Sequence, residues 1–188
     1  KIRGFADILQ KSADTISYID VIISFAESAV KNNYVKPELN MGKTIKIVEG
    51  RHPVVEKLIG HNSFVNNDVH LNEEENFVIL TGPNMAGKST YMKQIAMIII
   101  MAQIGCYVPA QSAEIGIIDK IFTRIGASDD IVSGQSTFMV EMSEVANIVN
   151  SATEKSFIIL DEVGRGTSTF DGISIAWAIS EYIHNKIG

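Results

Sequence analysis

Two short stretches of this sequence carry residue types and spacings that could do chemistry. Gly82-Pro83-Asn84-Met85-Ala86-Gly87-Lys88-Ser89 fits the eight-residue phosphate-loop pattern and lies between Phe77-Val78-Ile79-Leu80, an apolar run of the kind buried as a strand in parallel sheets, and a helical stretch from about Lys88 to Gln103. The glycines and the small Ala86 let backbone N–H groups turn inward on phosphate oxygens, and the helix N-terminus behind them adds partial positive charge. Lys88 is placed to reach the β and γ phosphates of a nucleotide, and Ser89 to offer its hydroxyl to Mg²⁺.

The second stretch is Leu160-Asp161-Glu162, which closes the apolar run Phe157-Ile158-Ile159-Leu160. The carboxyl ends of neighbouring parallel strands open into one crevice, so Asp161 is expected near Ser89, holding the magnesium through water. Glu162 is then placed to orient or deprotonate an attacking water. A third constellation, Ser133-Gly134-Gln135-Ser136-Thr137, precedes apolar positions Phe138, Met142, Val145 and Val149 at helical spacing. Ser136 or Thr137 serves either as an ordinary N-cap or as part of an anion site facing a phosphate that the same subunit's loop does not reach. Glu141 and Glu144, on the flank of that helix, read as solvated.

These stretches need a scaffold, and the pattern supplies one. Ile16, Ile19, Ile23, Ala26 and Val30 make a seam on a helix from about Ser12 to Asn32, one face of which is expected to pack on a neighbour. Asn32, Asn33 and Pro37 break the pattern, and Lys36 to Lys43 reads as a polar crossing, which puts a boundary near residue 36. Beyond it Thr44 to Val48 alternates like a strand, and a last helix begins near Asp171 with Ile173, Trp177, Ile179, Ile183 and Ile187 on or near one face. Strands alternating with helices predict an α/β domain with a mostly parallel sheet flanked by helices.

Composition narrows the function classes. The 188 residues have room for one domain and a fragment of another, 46% are hydrophobic, and only 20% are charged, so the chain can bury a core. A net charge of −6 argues against a free-standing binder that coats nucleic-acid phosphates. The lone cysteine, Cys106, has no partner within the chain, which fits a reducing, intracellular setting, and it reads as a small buried apolar residue. The apolar stretch from Ile95 to Val108 is shorter than the roughly 20 residues that a membrane span needs. The first residues lack the apolar centre of a signal peptide and look like the cut edge of a longer protein.

The combination TGPNMAGKSTYMKQIA, GCYVPAQSAEIG, FTRIGASDDIVSGQSTFMVEMSE and LDEVGRGTSTFDGISIAWA resembles the ATPase domain of the MutS family of DNA mismatch-repair proteins, in the ABC-type branch of phosphate-loop ATPases. The resemblance runs from about Lys36 to Gly188, and the helix before it resembles the end of that family's long lever. It implies two units: residues 1–36 as the end of a helical core or lever region and 37–188 as the ATPase domain. It also implies ATP or ADP as nucleotide and Mg²⁺ as metal, with Gly82, Pro83, Asn84, Met85, Ala86, Gly87, Lys88, Ser89 and Thr90 around the phosphates. Ser89 and Asp161 would form the metal site, and Glu162 would prepare the hydrolytic water. Asn84 would approach the γ-phosphate, Phe64 would stack on adenine, and Ser136 would reach the nucleotide of the opposing subunit of a homodimer. Arg51-His52-Pro53 also matches and reads as structural.

The partners implied are mismatched double-stranded DNA and a downstream repair protein of the MutL type, in a bacterial cytoplasm and associated with the nucleoid. The family's γ-phosphate-sensing histidine, its dimer-holding C-terminal helices and its mismatch-reading domain are expected to lie outside this sequence. Weak nucleotide binding and poor hydrolysis are therefore expected of this piece alone. Two rivals remain: a related ABC-type motor, either a transporter subunit or a MutS-like protein of recombination, and a nucleotide-gated module without turnover. The Ser-Gly-Gln-Ser-Thr loop and the Gly-Arg-Gly-Thr-Ser-Thr run after Glu162 count against the first.

Overall fold

A computed structural model describes residues 5–60, 63–83, 85–126 and 137–187 of the chain. Its elements alternate irregularly between helix and strand. Helix α1 (Ala6–Asn32) comes first, then β1 (Glu38–Asn40), β2 (Ile45–Gly50), the short α2 (Val55–Ile59) and β3 (Asn67–Leu71). The second half runs through α3 (Lys88–Gln103), β4 (Ser112–Gly116), β5 (Ile121–Arg124), α4 (Thr137–Ser151), β6 (Phe157–Leu160) and α5 (Thr169–Tyr182), which ends in a π-helical turn, Ile183–Ile187.

The core lies between α3 and a four-stranded sheet in the order β1-β4-β2-β3. In β2 the alternation predicted from Thr44 to Val48 does what a half-covered strand requires: Ile45 and Ile47 are buried and Lys46 between them is exposed. They meet Ile95, Ile98, Ile99 and Ala102, which recur every three or four residues along α3, together with Val69, Val108 and Ile115. Burial of each such isoleucine contributes about 1.5 to 3 kcal/mol relative to exposure.

The sheet is mixed, which corrects the expectation of a mostly parallel one. Only β1 and β4 run parallel within it, while β2 is antiparallel to both β3 and β4. The chain reverses between β2 and β3 through α2, so these strands pair antiparallel without a helical crossover. A separate parallel pair, β5 with β6, carries the acidic stretch.

The run Phe77 to Leu80, expected as a buried strand, is not one. It is irregular, and Val78 and Ile79 are 63% and 74% exposed. An apolar run becomes a strand only where neighbours complete its backbone hydrogen bonds, and among the described residues no strand pairs with this segment. Phe77 instead places its ring 5.7 Å from that of His184 in the π-helical turn.

Two helices also depart from expectation. Helix α1 begins six residues earlier than predicted, and its seam is open: Ile16, Ile19, Ile23 and Val30 are all at least half exposed, and Ala29 is its buried residue. Helix α5 starts at Thr169 because Ser168 caps it, accepting the Asp171 N–H and bonding the Asp171 carboxylate at 2.7 Å.

Candidate phosphate and metal site

The glycine-lined loop ends in Gly87, whose φ of 89° is a left-handed conformation that glycine adopts without strain. That turn delivers the chain into α3 at Lys88. Among the described residues no side chain caps the N-terminus of α3, and its first turn carries no acidic residue. Its leading N–H groups and dipole are thus arranged for an external anion. The Lys88 ammonium lies back across the loop, donating to the carbonyls of Gly82 at 2.7 Å and Pro83 at 2.8 Å. Met85 is fully exposed with φ 66°, Ala86 N–H bonds the Pro83 carbonyl, and Thr90 is half-buried in the first turn.

Seventy-two residues later in the chain, Asp161 comes to the same place. Ser89 Oγ donates to Asp161 Oδ2 at 2.5 Å. Asp161 is 9% exposed and directly follows β6, where its N–H bonds the carbonyl of Arg124 at the matching end of β5. The parallel pairing of β5 with β6 thus fixes the carboxylate, and α3 brings the hydroxyl to it. Glu162 follows with φ 56°, a left-handed conformation costing a non-glycine residue about 1 to 3 kcal/mol unless its surroundings impose it. Its Oε2 accepts from Arg165 at 2.6 Å in a largely exposed ion pair.

The donor set fits a phosphate chain with a hard divalent cation. A hydroxyl and a carboxylate meet, an ammonium stands on the loop, and uncapped N–H groups point outward. Among the described residues no group of three or more His, Cys, Asp or Glu side chains forms a protein-only metal cage. One hydroxyl with one carboxylate is the kind of partial ligand set that Mg²⁺ commonly takes, with the rest from phosphates and water.

The remaining predicted residues are less gathered. Phe64 is half-buried ahead of β3, and among the described residues no hydrogen bond or ring contact joins it to the loop. The nearest tie between the two regions is Tyr91 of α3, whose hydroxyl donates to the Asp68 carbonyl at 3.0 Å. Asn84 and the segment containing Ser133, Ser136 and their neighbours lie outside the described residues.

Several residues matter more than their letters suggested. Glu141 is 3% exposed rather than solvated, and it bonds the Gly164 N–H in the loop after Glu162. Arg124 is also buried and pairs with Glu141 and Glu144. A signal existed: Glu141 precedes Val145 by four residues and Ile148 by seven, and these three are the buried residues of α4. A carboxylate interrupting an apolar stripe needs a partner. Arg51, read as structural, donates to Glu56 at 2.8 Å and to the carbonyls of Asn32, which ends α1, and of Asn33, its C-cap. Cys106 is only half-buried, and burial pushes its thiol pKa up.

Residues 78–188 match the family described as MutS domain V. The chain is 61% identical over its whole length to the DNA mismatch repair protein MutS of Fusobacterium nucleatum, covering 21% of that protein. It is 63% identical over 99% of its length to the MutS of Caldicellulosiruptor saccharolyticus, covering 22% of it. Over 95% of its length it is 65% identical to the MutS of Caldanaerobacter subterraneus, covering 20% of it. The chain spans about a fifth of the length of the curated relatives it matches. Among the described residues no helix is long and apolar enough to cross a membrane.

Proposed function

Because the chain belongs to the MutS domain V family, we propose that it is the ATP-binding and ATP-hydrolysing unit of a mismatch-repair protein, built as a phosphate-loop fold of the ABC type. The observation that carries this reading is the contact between Ser89 and Asp161, which unites the phosphate loop and the acidic strand end at one edge of the β5–β6 pair.

In this reading the first-turn N–H groups of α3 and the Lys88 ammonium bind the β and γ phosphates. Phosphate oxygens carry more charge than the Gly82 and Pro83 carbonyls that Lys88 now contacts, so the ammonium exchanges one set of acceptors for a stronger one. Ser89 and Asp161 would hold Mg²⁺, which would neutralise charge on the phosphates. Glu162 orients the attacking water or takes its proton, and Phe64 stacks on adenine. Asn84 approaches the γ-phosphate, and Ser136 reaches across to the nucleotide of a second copy, so that the working enzyme is a homodimer with composite sites. Catalysis then rests on positioning and charge stabilisation rather than covalent chemistry. In the whole protein, ATP-driven closure of the dimer changes its grip on mismatched DNA, switches it to a sliding clamp and signals to a MutL-type partner. Helix α1 is the end of the lever region that precedes this motor.

The test is a pair of substitutions in the full-length dimeric protein. Lys88→Ala is expected to abolish ATP binding, and Glu162→Gln to keep binding while losing phosphate release. Parent-like hydrolysis by both variants would remove the assignment. Intact binding by the parent with no phosphate release would make the unit a nucleotide-gated switch.

A further inference from the structure

Two residues past Glu162 the chain is held by a carboxylate that neither the phosphate loop nor the acidic pair uses. Glu141 lies in the second turn of α4, with Oε1 accepting the Gly164 N–H at 2.5 Å and Oε2 3.8 Å from an Arg124 guanidinium nitrogen. Arg124 ends β5 and faces the site twice over. Its carbonyl accepts the Asp161 N–H at 2.7 Å, while its buried guanidinium meets Glu141 and, at 2.9 Å, Glu144.

The loop between Glu162 and α5 is also squeezed from both sides. A Cβ on Gly164 would stand 2.6 Å from the Gly172 carbonyl of α5, and one on Gly166 would stand 3.1 Å from Phe138 Cβ in the first turn of α4. The left-handed turn at Glu162 sits at the head of this clamped segment.

Burying a carboxylate costs several kcal/mol per ion before its partners are counted, and an apolar side chain of similar size would fill the same space on the stripe with Val145 and Ile148. What an apolar residue lacks is a directed acceptor. We propose that Glu141 is a positioning residue for hydrolysis. It fixes the Gly164 N–H, and through it the strained turn that aims Glu162, while Arg124 locks the same carboxylate to the strand end that holds Asp161. The inference rests on the ATPase reading above.

The test uses the full-length protein, comparing phosphate release, equilibrium binding of ATP and amide exchange in three variants. Glu141→Gln keeps an oxygen acceptor for Gly164, and kcat is expected to stay within about threefold of the parent. Glu141→Ala removes the acceptor, and kcat is expected to fall about tenfold or more while ATP affinity stays within about twofold. Glu141→Asp keeps the charge for Arg124 but withdraws the acceptor by one methylene; it is expected to lose kcat like the alanine variant and covers the case in which alanine does not fold. Amide exchange should quicken at residues 162–166 in the alanine and aspartate variants, with residues 82–89 unchanged. Parent-like kcat in Glu141→Asp, or parallel loss of kcat and ATP binding in all three variants, would overturn the proposal. A parent that releases no phosphate would instead overturn the ATPase reading, and this proposal with it.

Discussion

The two halves of the molecule differ in how far directed polar contacts add to apolar packing. Around α3 and the mixed sheet, the order comes from apolar side chains: Ile47, Ile98, Ile99, Val108 and Ile115 have essentially no exposed surface. Around β5, β6 and α5, large apolar groups such as Ile79, Phe170, Ile173 and Trp177 are exposed. There Val145, Ile148 and Ile159 are buried, and aimed polar contacts are added to that packing, namely Ser89 to Asp161, Asp161 N–H to Arg124, and Gly164 N–H to Glu141. Apolar packing is non-directional and tolerates exchange of shape, whereas a hydrogen bond to one N–H fixes one backbone conformation. The candidate site sits where the two meet: α3 brings Lys88 and Ser89 from the packed side, and directed contacts set Asp161 and the loop after it.

The largest effect should come from breaking the packed half. Ile98→Ala leaves a cavity between α3 and the sheet and is expected to cost about 2 to 5 kcal/mol in urea or thermal unfolding. If this core is the common foundation, amide exchange should quicken in both halves together. Faster exchange limited to α3 would show that the polar half stands without it.

The sequence made these halves unequally legible. A packed strand writes itself as alternation, so Ile45 and Ile47 were readable, and so was the helix from Lys88 to Gln103. Strand direction was not, because antiparallel pairing of β2 depends on which segments the chain brings beside it. Phe77 to Leu80 shows the same limit, since its letters suit a strand and its surroundings give it no ladder. The phosphate loop and the acidic pair were legible by residue type and spacing, and Ser89 and Asp161 do meet. Glu141 was misread because Gly164, which satisfies it, is 23 residues away in the sequence, although its place on the stripe with Val145 and Ile148 was readable.

A middle-sized effect should come from the polar half. Gly164 has φ 84°, and an added Cβ would press against the Gly172 backbone. Gly164→Ala is therefore expected to cost about 1 to 3 kcal/mol, concentrated in the loop and the start of α5. Amide exchange provides the discrimination: residues 162–172 should open more readily while Ile95–Ala102 stay protected. A uniform loss across the chain would merge the two halves into one cooperative unit.

The smallest effect tests whether directed polar contacts also occur at the margin of the packed half, where α1 joins it. Tyr34 donates to the Glu56 carboxylate, which Arg51 also engages. Burial first, and then the negative charge and hydrogen bond of Glu56, raise the Tyr34 phenol from 10.0 to about 12, with Arg51 opposing. The folded state therefore holds this proton more tightly than the unfolded chain does. The resulting stabilisation is fully present below pH 10 and is lost as pH rises towards about 12. Tyr34→Phe should cost about 1 kcal/mol at neutral pH, the value of one hydrogen bond. It should also flatten the alkaline fall in stability within that window, read as the difference between parent and variant unfolding free energies from pH 9 to 12. Parallel curves would mean that the junction is held by packing alone, and the contrast between the two halves would then extend to their borders.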